Sequence, residues 1–261
     1  MRIATWNVNS LKVRLPALLE WLAARRPDVI GLQELKLTEA DFPRDALRAA
    51  GYEAVVAGQK TYNGVALLAR APLALEQPAV GLPELAWDPA ARAVAATVGG
   101  IRCLNLYVPN GQEVGTDKYA YKLRWLDDLA RHLEAAHRPD QPLVLLGDFN
   151  LIPDERDAYD PQEFRFSILF TDEERARFRR LVDWGLADVY RRCDDAPKRY
   201  SWWDYRMNAF RRNLGARIDL LLATAPVAAR AVAAEIDVEP RRAEKPSDHA
   251  PVFVDLDGHP G

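Results

Sequence analysis

At 261 residues, nearly half of them hydrophobic and 28% charged, the chain holds enough apolar material to bury a large core, which excludes global disorder. A formal net charge of −3 excludes a histone-like protein that grips nucleic acid through bulk positive charge. Arginine still supplies 28 of the 35 basic residues; its planar fork suits phosphate, although a biased genome yields an Ala- and Arg-rich chain as readily.

Residues 2–8 read as a strand and 11–25 as an amphipathic helix, with Leu11, Leu15, Leu18, Leu19 and Leu22 on one face, Ser10 as its cap and Pro27 as its stop. The run DVIGLQ from Asp28 is a buried strand that delivers Glu34 to its C-terminal end, where α/β folds place functional groups. Strands follow at 52–57, 64–70, 93–98 and 101–107, the last two joined at Gly99-Gly100 as a hairpin. Helical spacing of Leu123, Leu126, Leu129 and Leu133 spans Asp117 to about His137, and LVLLG then forms a buried strand feeding Asp148, so the element order of the first half recurs. Residues 151–170 are polar and irregular, and 172–184 form a charged helix whose Arg175, Arg177, Arg179 and Arg180 suit a solvated face. An aromatic and basic stretch at 199–213 precedes strands at 217–224, 230–238 and 251–256. No linker interrupts the middle of the chain, so we read residues 1–257 as one domain with a short tail at 258–261.

Cys103 and Cys193 lack CxxC spacing and predict no structural disulfide. The N-terminus enters a strand pattern at once and no apolar run approaches membrane-spanning length, so the expectation is a cytoplasmic protein without a membrane partner. The absence of a heptad repeat makes a monomer the simple expectation.

Four islands rich in carboxylate, amide and imidazole stand at strand ends: TWNVNS at 5–10, LQE at 32–34, LGDFN at 146–150 and KPSDHAP at 245–251. A sheet can deliver all four to one rim, where oxygen-rich groups suit a hard cation such as Mg²⁺. Each island alone has a plainer reading, Asp148 and Asn150 as a strand-terminating turn above all. Together with Asn7 and Asn9 they supply oxygen ligands, a candidate acid or base and neutral donors for a phosphate. Asp219 interrupts an apolar strand and there needs a partner, for which His249 is the natural candidate, or else a wet strand end. In 199–213, Trp202, Trp203 and Tyr205 interleave with Arg199, Arg206, Arg211 and Arg212, a pattern that combines stacking with phosphate contacts; strand alternation assigns Trp203 to the core.

The order and wording of these islands, with GQKTYNGVALL at 58–68, LYVPNGQ at 106–112, YSWWDYR at 200–206 and RIDLLLA at 217–223, resemble the exonuclease III family of AP endonucleases, within the DNase I-like endonuclease/exonuclease/phosphatase superfamily. The resemblance runs almost end to end. It implies a four-layer α/β sandwich of two facing mixed sheets flanked by helices. It further implies that Glu34 binds Mg²⁺ (or Mn²⁺ as a substitute) with Asn7 beside it, and that Asp148 handles the proton of the water or the leaving group while Asn150 positions it. Tyr107 and His249 would donate to the scissile phosphate, Asp219 would hold His249, and Asp248 would help organise metal or leaving group. Asn110 and Gln112 of LYVPNGQ, together with Arg211 and Arg212, fall to the DNA contacts; Trp202 would line a pocket for an extruded abasic sugar, and Arg206 with Met207 would form a minor-groove wedge. The implied substrate is double-stranded DNA with abasic sites or 3′ ends, incised 5′ to the lesion or trimmed 3′ to 5′. Two departures follow. Asn9 stands where some relatives have Asp, which removes a metal carboxylate, and Ala216 stands where some have a large apolar residue, which implies a wider pocket. The alternative substrates are RNA or a phospholipid headgroup, which the superfamily islands would serve equally.

Overall fold

The computed structural model describes residues 1–258, so most of the short tail expected at 258–261 lies outside the described residues. Its frame is two six-stranded sheets. The first contains β1 (Arg2–Asn7), β2 (Val29–Gln33), β3 (Tyr52–Ala57), β4 (Val65–Arg70), β11 (Ala231–Ile236) and β12 (Val252–Leu256), in the order β11-β12-β1-β2-β4-β3. The second contains β5 (Glu76–Val80), β6 (Ala93–Val98), β7 (Ile101–Tyr107), β8 (Leu143–Asp148), β9 (Leu186–Asp188) and β10 (Asp219–Thr224), in the order β5-β6-β7-β8-β10-β9. Each sheet has one parallel pair, β1 with β2 and β7 with β8, and in each case a helix makes the crossover: α1 (Leu11–Arg25) in the first and α3 (Asp117–Ala136) in the second.

The layering follows from side-chain alternation along the strands. Ile3, Val29, Leu67, Val94, Cys103, Val144, Leu146, Leu221 and Val254 meet between the sheets. Ala4, Trp6, Ile30 and Leu32 turn the other way, onto Leu18, Trp21 and Leu22 of α1 and Leu47 of α2 (Arg44–Ala49). Leu104, Leu106, Leu145 and Leu220 do the same onto Trp125, Leu126 and Leu129 of α3 and Phe178 and Leu181 of α5 (Asp172–Trp184). The result is the four-layer sandwich. A buried polar clasp joins the sheets near one edge: Gln33 Nε2 donates to Thr5 Oγ1 at 2.9 Å and to Asn105 Oδ1 at 2.6 Å, while Asn105 Nδ2 reaches the carbonyls of Leu32 and Ala66. Gly31 is required at this clasp, because a Cβ there would lie 2.5 Å from Asn105 Oδ1.

Several local expectations change. Ser10 does not cap α1; at φ 88° its side chain makes no capping bond, and the helix start is held instead by Ser10 N and Leu11 N donating to the carbonyls of Glu34 and Leu35. That arrangement ties the helix directly to the Glu34 island. The arginines of α5 are not simply solvated: Arg177 donates to Asp127 and Arg180 to Glu134, both on α3. The irregular stretch 151–170 contains a short helix, α4 (Pro161–Arg165), started by Asp160, whose carboxylate accepts from Gln162 N and Glu163 N. Further short helices are α6 (Val189–Cys193), α7 (Ala209–Arg212) and α8 (Ala225–Ala228). Both cysteines are free thiols, and among the described residues no helix is long and apolar enough to cross a membrane.

Candidate active site

The face that alternation turns toward the opposite sheet ends, on four strands, in a polar residue. On β1 the series Ile3, Thr5 runs out at Asn7; on β7, Cys103 and Asn105 run out at Tyr107; on β8, Val144 and Leu146 run out at Asp148; β10 begins with Asp219 before Leu221 and Ala223. Register then sets these ends side by side, with Tyr107 opposite Asp148 and Asp148 opposite Asp219. Gly147 permits the approach of β8 to β7, since at φ 148° a Cβ would fall 1.9 Å from the Leu106 carbonyl oxygen. Glu34 follows β2 and His249 precedes β12, so both enter the same rim from the first sheet.

Asn7 Nδ2 bridges the two sheets by donating to Glu34 Oε1 and Asp148 Oδ2, each at 2.9 Å. Asp148 Oδ1 accepts from the backbone N–H of Asn150 at 2.9 Å, and the Asn150 side chain is fixed by donation to the Val108 carbonyl and acceptance from Asn110 Nδ2. Asp219 is fully buried rather than at a wet strand end: its Oδ2 accepts from His249 Nδ1 at 2.8 Å and from Ser201 Oγ at 2.6 Å. With Nδ1 engaged there, His249 Nε2 faces Asp148 Oδ2 at 3.7 Å. Burial pulls the imidazolium down, but Asp219 and then Asp148 outweigh it and raise His249 to about 10. Burial also dominates at Asp148, which rises to about 7 against the opposing pull of His249. Tyr107 is pushed well above its ordinary value by burial and by the Glu34 and Asp148 carboxylates, so it stands as a neutral O–H donor.

Glu34, Asp148 and His249 present donor atoms within 4.8 Å of one another, a group that can hold a metal ion. Two carboxylates and a bridging amide fit a hard cation that retains waters and takes phosphate oxygens. Asp248 stands outside this group, with Oδ1 accepting from Asn9 Nδ2 at 2.8 Å and Oδ2 from Trp202 Nε1 at 3.1 Å. Asn9 also accepts from Lys36, which pairs with Glu34 Oε2 at 2.9 Å.

A cavity of about 410 Å³ opens over these groups, lined by Glu34, Tyr107, Asn110, Asp148, Asn150, Trp202, Arg206, Asp248 and His249 and, on another side, by Phe164, Ile168 and Ile218. Ala216 is not among the residues that line it. That residue has no exposed surface and belongs to the buried cluster of Ile152, Phe164, Leu169, Phe170 and Ile218. The stretch 199–213 divides. Trp202 and Arg206 face the cavity, Trp203 is buried against Phe210, and Arg211 lies on a larger depression of about 670 Å³ with Arg199 that contains none of the rim carboxylates. Arg212, Met207 and Gln112 are exposed and line neither.

Three functional neighbours escaped the sequence reading. Ser201 holds Asp219, Ser247 Oγ donates to the Asn7 carbonyl at 2.7 Å, and the buried Lys122 donates to the Asn150 carbonyl at 2.6 Å while pairing with Glu174. Ser201 stood inside the quoted YSWWDYR motif. Ser247 stood inside the quoted KPSDHAP island, and Lys122 carries no local signal, because its partners are far away in sequence.

A four-layer sandwich with an Asp–His pair, a buried aspartate and, at one rim, a group that can hold a metal ion is the arrangement of a phosphoester hydrolase. The chain belongs to the Endonuclease/Exonuclease/phosphatase family, whose profile matches residues 4–249. Within it, the chain is 34% identical to exodeoxyribonuclease III of Haemophilus influenzae over 98% of its own length and 100% of that protein's. Among solved structures it is similar to the Neisseria 3′ phosphatase NExo bound to a product DNA hairpin (42% identity, TM-score 0.94, 99% and 100% of the two chains). It is also similar to an AP endonuclease from Archaeoglobus fulgidus (35% identity, TM-score 0.95, 99% and 100% covered).

Proposed function

We propose that the chain is a Mg²⁺-dependent DNA-repair phosphodiesterase that incises 5′ to abasic sites and removes nucleotides or blocking groups from 3′ ends of duplex DNA. Glu34 and Asp148, linked through Asn7, are the residues to hold the ion, with Mn²⁺ as a substitute. When bound, the ion supplies positive charge at the non-bridging phosphate oxygens, where charge grows in the transition state.

The remaining work falls to the chain's own side chains. The Tyr107 hydroxyl and the protonated His249 donate to the scissile phosphate; Asp219 fixes the imidazole through Nδ1 and so aims Nε2 into the cavity. Asp148 is placed to take a proton from the attacking water, which Asn150 orients. Asp248, held by Asn9 and Trp202, organises the leaving-group side. Trp202 forms a wall for the extruded sugar, Arg206 and Met207 form the wedge, and Asn110, Gln112, Arg211 and Arg212 are the remaining candidate contacts to DNA. We take residues 1–257 as one working unit and the active form as a cytoplasmic monomer.

One observation carries this reading: Asp148 is buried with a neutral amide and the His249 ring around it rather than a guanidinium, on the wall of a cavity of about 410 Å³. Purified protein with Mg²⁺ should cut a duplex bearing a tetrahydrofuran abasic analogue and trim recessed 3′ ends, and a chelator should stop both. An intact duplex in the presence of Mg²⁺, with a known enzyme cutting beside it, would reject the reading.

A further inference from the structure

Two segments frame the catalytic cavity, 164–169 and 202–206, and beside the lining residues of each stands one large apolar side chain that is mostly exposed. On the second segment it is Met207, 75% exposed, already assigned to the wedge. On the first it is Phe166, 84% exposed, the most exposed of the large hydrophobic residues. Single exposed apolar residues are common on protein surfaces and need no explanation on their own. Here the backbone gives this one a reason.

Phe166 is not at a loose loop tip. Phe164, two residues earlier, is buried among Ile152, Ala158, Leu169, Phe170 and Ile218. Phe166 N donates to the Phe164 carbonyl, which closes the C-terminal end of α4. Beyond it, Leu169 is held from both sides: its carbonyl accepts from Ile152 N at 2.8 Å, and its N–H donates to Glu174 Oε1 at 3.1 Å. Glu174 is itself fully buried and paired with Lys122, which grips the Asn150 carbonyl beside the catalytic aspartate. The segment is therefore anchored to the same buried pair that anchors the Asp148–Asn150 turn, and its geometry turns Phe166 outward while its neighbours Phe164 and Ser167 line the cavity.

We propose that Phe166 is a nucleobase-stacking residue: its ring takes the exposed π-face of a base next to the scissile phosphate. Such a face exists at the terminal base of a 3′ end and at the base orphaned opposite an abasic site, whereas a base inside an intact stack offers none. The inference rests on the DNA reading above and deepens it, because it makes the site select for unstacked bases through this contact in addition to the wedge.

The test uses an Asp148→Asn background, so that DNA stays intact, and duplexes with 2-aminopurine either at a recessed 3′ terminus or opposite a tetrahydrofuran site. Binding should change the probe's fluorescence at one of these positions, and the position that responds identifies the base engaged. Adding Phe166→Ala should remove that change and weaken binding roughly 5- to 150-fold. Phe166→Trp should preserve both, and Val232→Ala, a change at a 64% exposed apolar residue on strand β11, should alter neither. If the parent binds these duplexes and Phe166→Ala binds equally with the fluorescence change intact, the stacking role is wrong and the DNA reading survives. If the unmodified protein neither binds nor cuts such duplexes, both are overturned.

Discussion

Two clusters of charge, one around Arg217 beside the second sheet and one at the rim where the two sheets meet, are built on opposite rules. Around Arg217, every charge is answered: its guanidinium donates to Asp157 at 2.7 and 2.8 Å and to Asp188 at 2.6 Å, and Arg191 covers Asp157 from the other side. Burial works against Arg217, but Asp188 and Asp157 outweigh it and hold the side chain more firmly charged than usual. At the rim, Glu34, Asp148, Asp219 and Asp248 are gathered with His249 and the half-buried Lys36, so carboxylates outnumber cations. The difference separates structure from chemistry. A balanced cluster fixes a loop, whereas a cluster left with excess negative charge can hold a metal ion from outside the chain.

Matched substitutions break the comparison most directly. Asp148→Asn should lower cleavage of an abasic duplex roughly 10²- to 10⁴-fold while leaving the melting temperature unchanged or higher, since it relieves surplus charge. Asp157→Asn should do the reverse in kind, costing about 3–5 kcal/mol in urea unfolding because it strips the fully buried Arg217 of its bidentate partner. If Asp148→Asn unfolds the protein and Asp157→Asn is tolerated, the two clusters have been assigned the wrong way round.

A smaller effect sharpens the same contrast with one residue type. His249, among carboxylates, rises to about 10, whereas His137 is lowered to about 4, first by burial and then by His132 and Arg102, with Glu84 too weak to reverse it. Below its ordinary value near 6.5, His137 takes up a proton in the unfolded chain that the folded chain refuses until about pH 4. Its contribution to stability is therefore complete above pH 6.5 and is lost as the pH falls from there toward 4. Thermal melts across that range should show a decline that is shallower in His137→Gln; identical slopes in the two proteins would contradict the shift.

Most of the frame was legible because the strands that carry the site are mainly apolar runs ended by polar residues, most clearly LVLLG before Asp148, and because Asp219 in the run RIDLLL demanded a partner. What escaped was either exposed or tertiary. Strand β5, the edge segment EQPAV, is mostly exposed and contains a proline, so neither alternation nor propensity marks it. Ser10 looks like a cap in sequence, but its left-handed backbone hands that task to the Glu34 and Leu35 carbonyls. The small residue at 216 suggested open space in the pocket, and the fold places it in the buried cluster around Phe164, a position the sequence alone does not reveal. Lys122 and Glu174 look like ordinary surface charges on amphipathic helices, and only the fold shows that both are buried behind Asn150.

Surplus negative charge at the rim calls for a divalent cation before any substrate arrives. Titrating Mn²⁺ into the protein and following the free ion by electron paramagnetic resonance measures this without any substrate. Saturable binding to the parent protein, weakened roughly tenfold or more by Glu34→Gln, is the expected result. Equal affinity in the two proteins, or no binding to either, would contradict it.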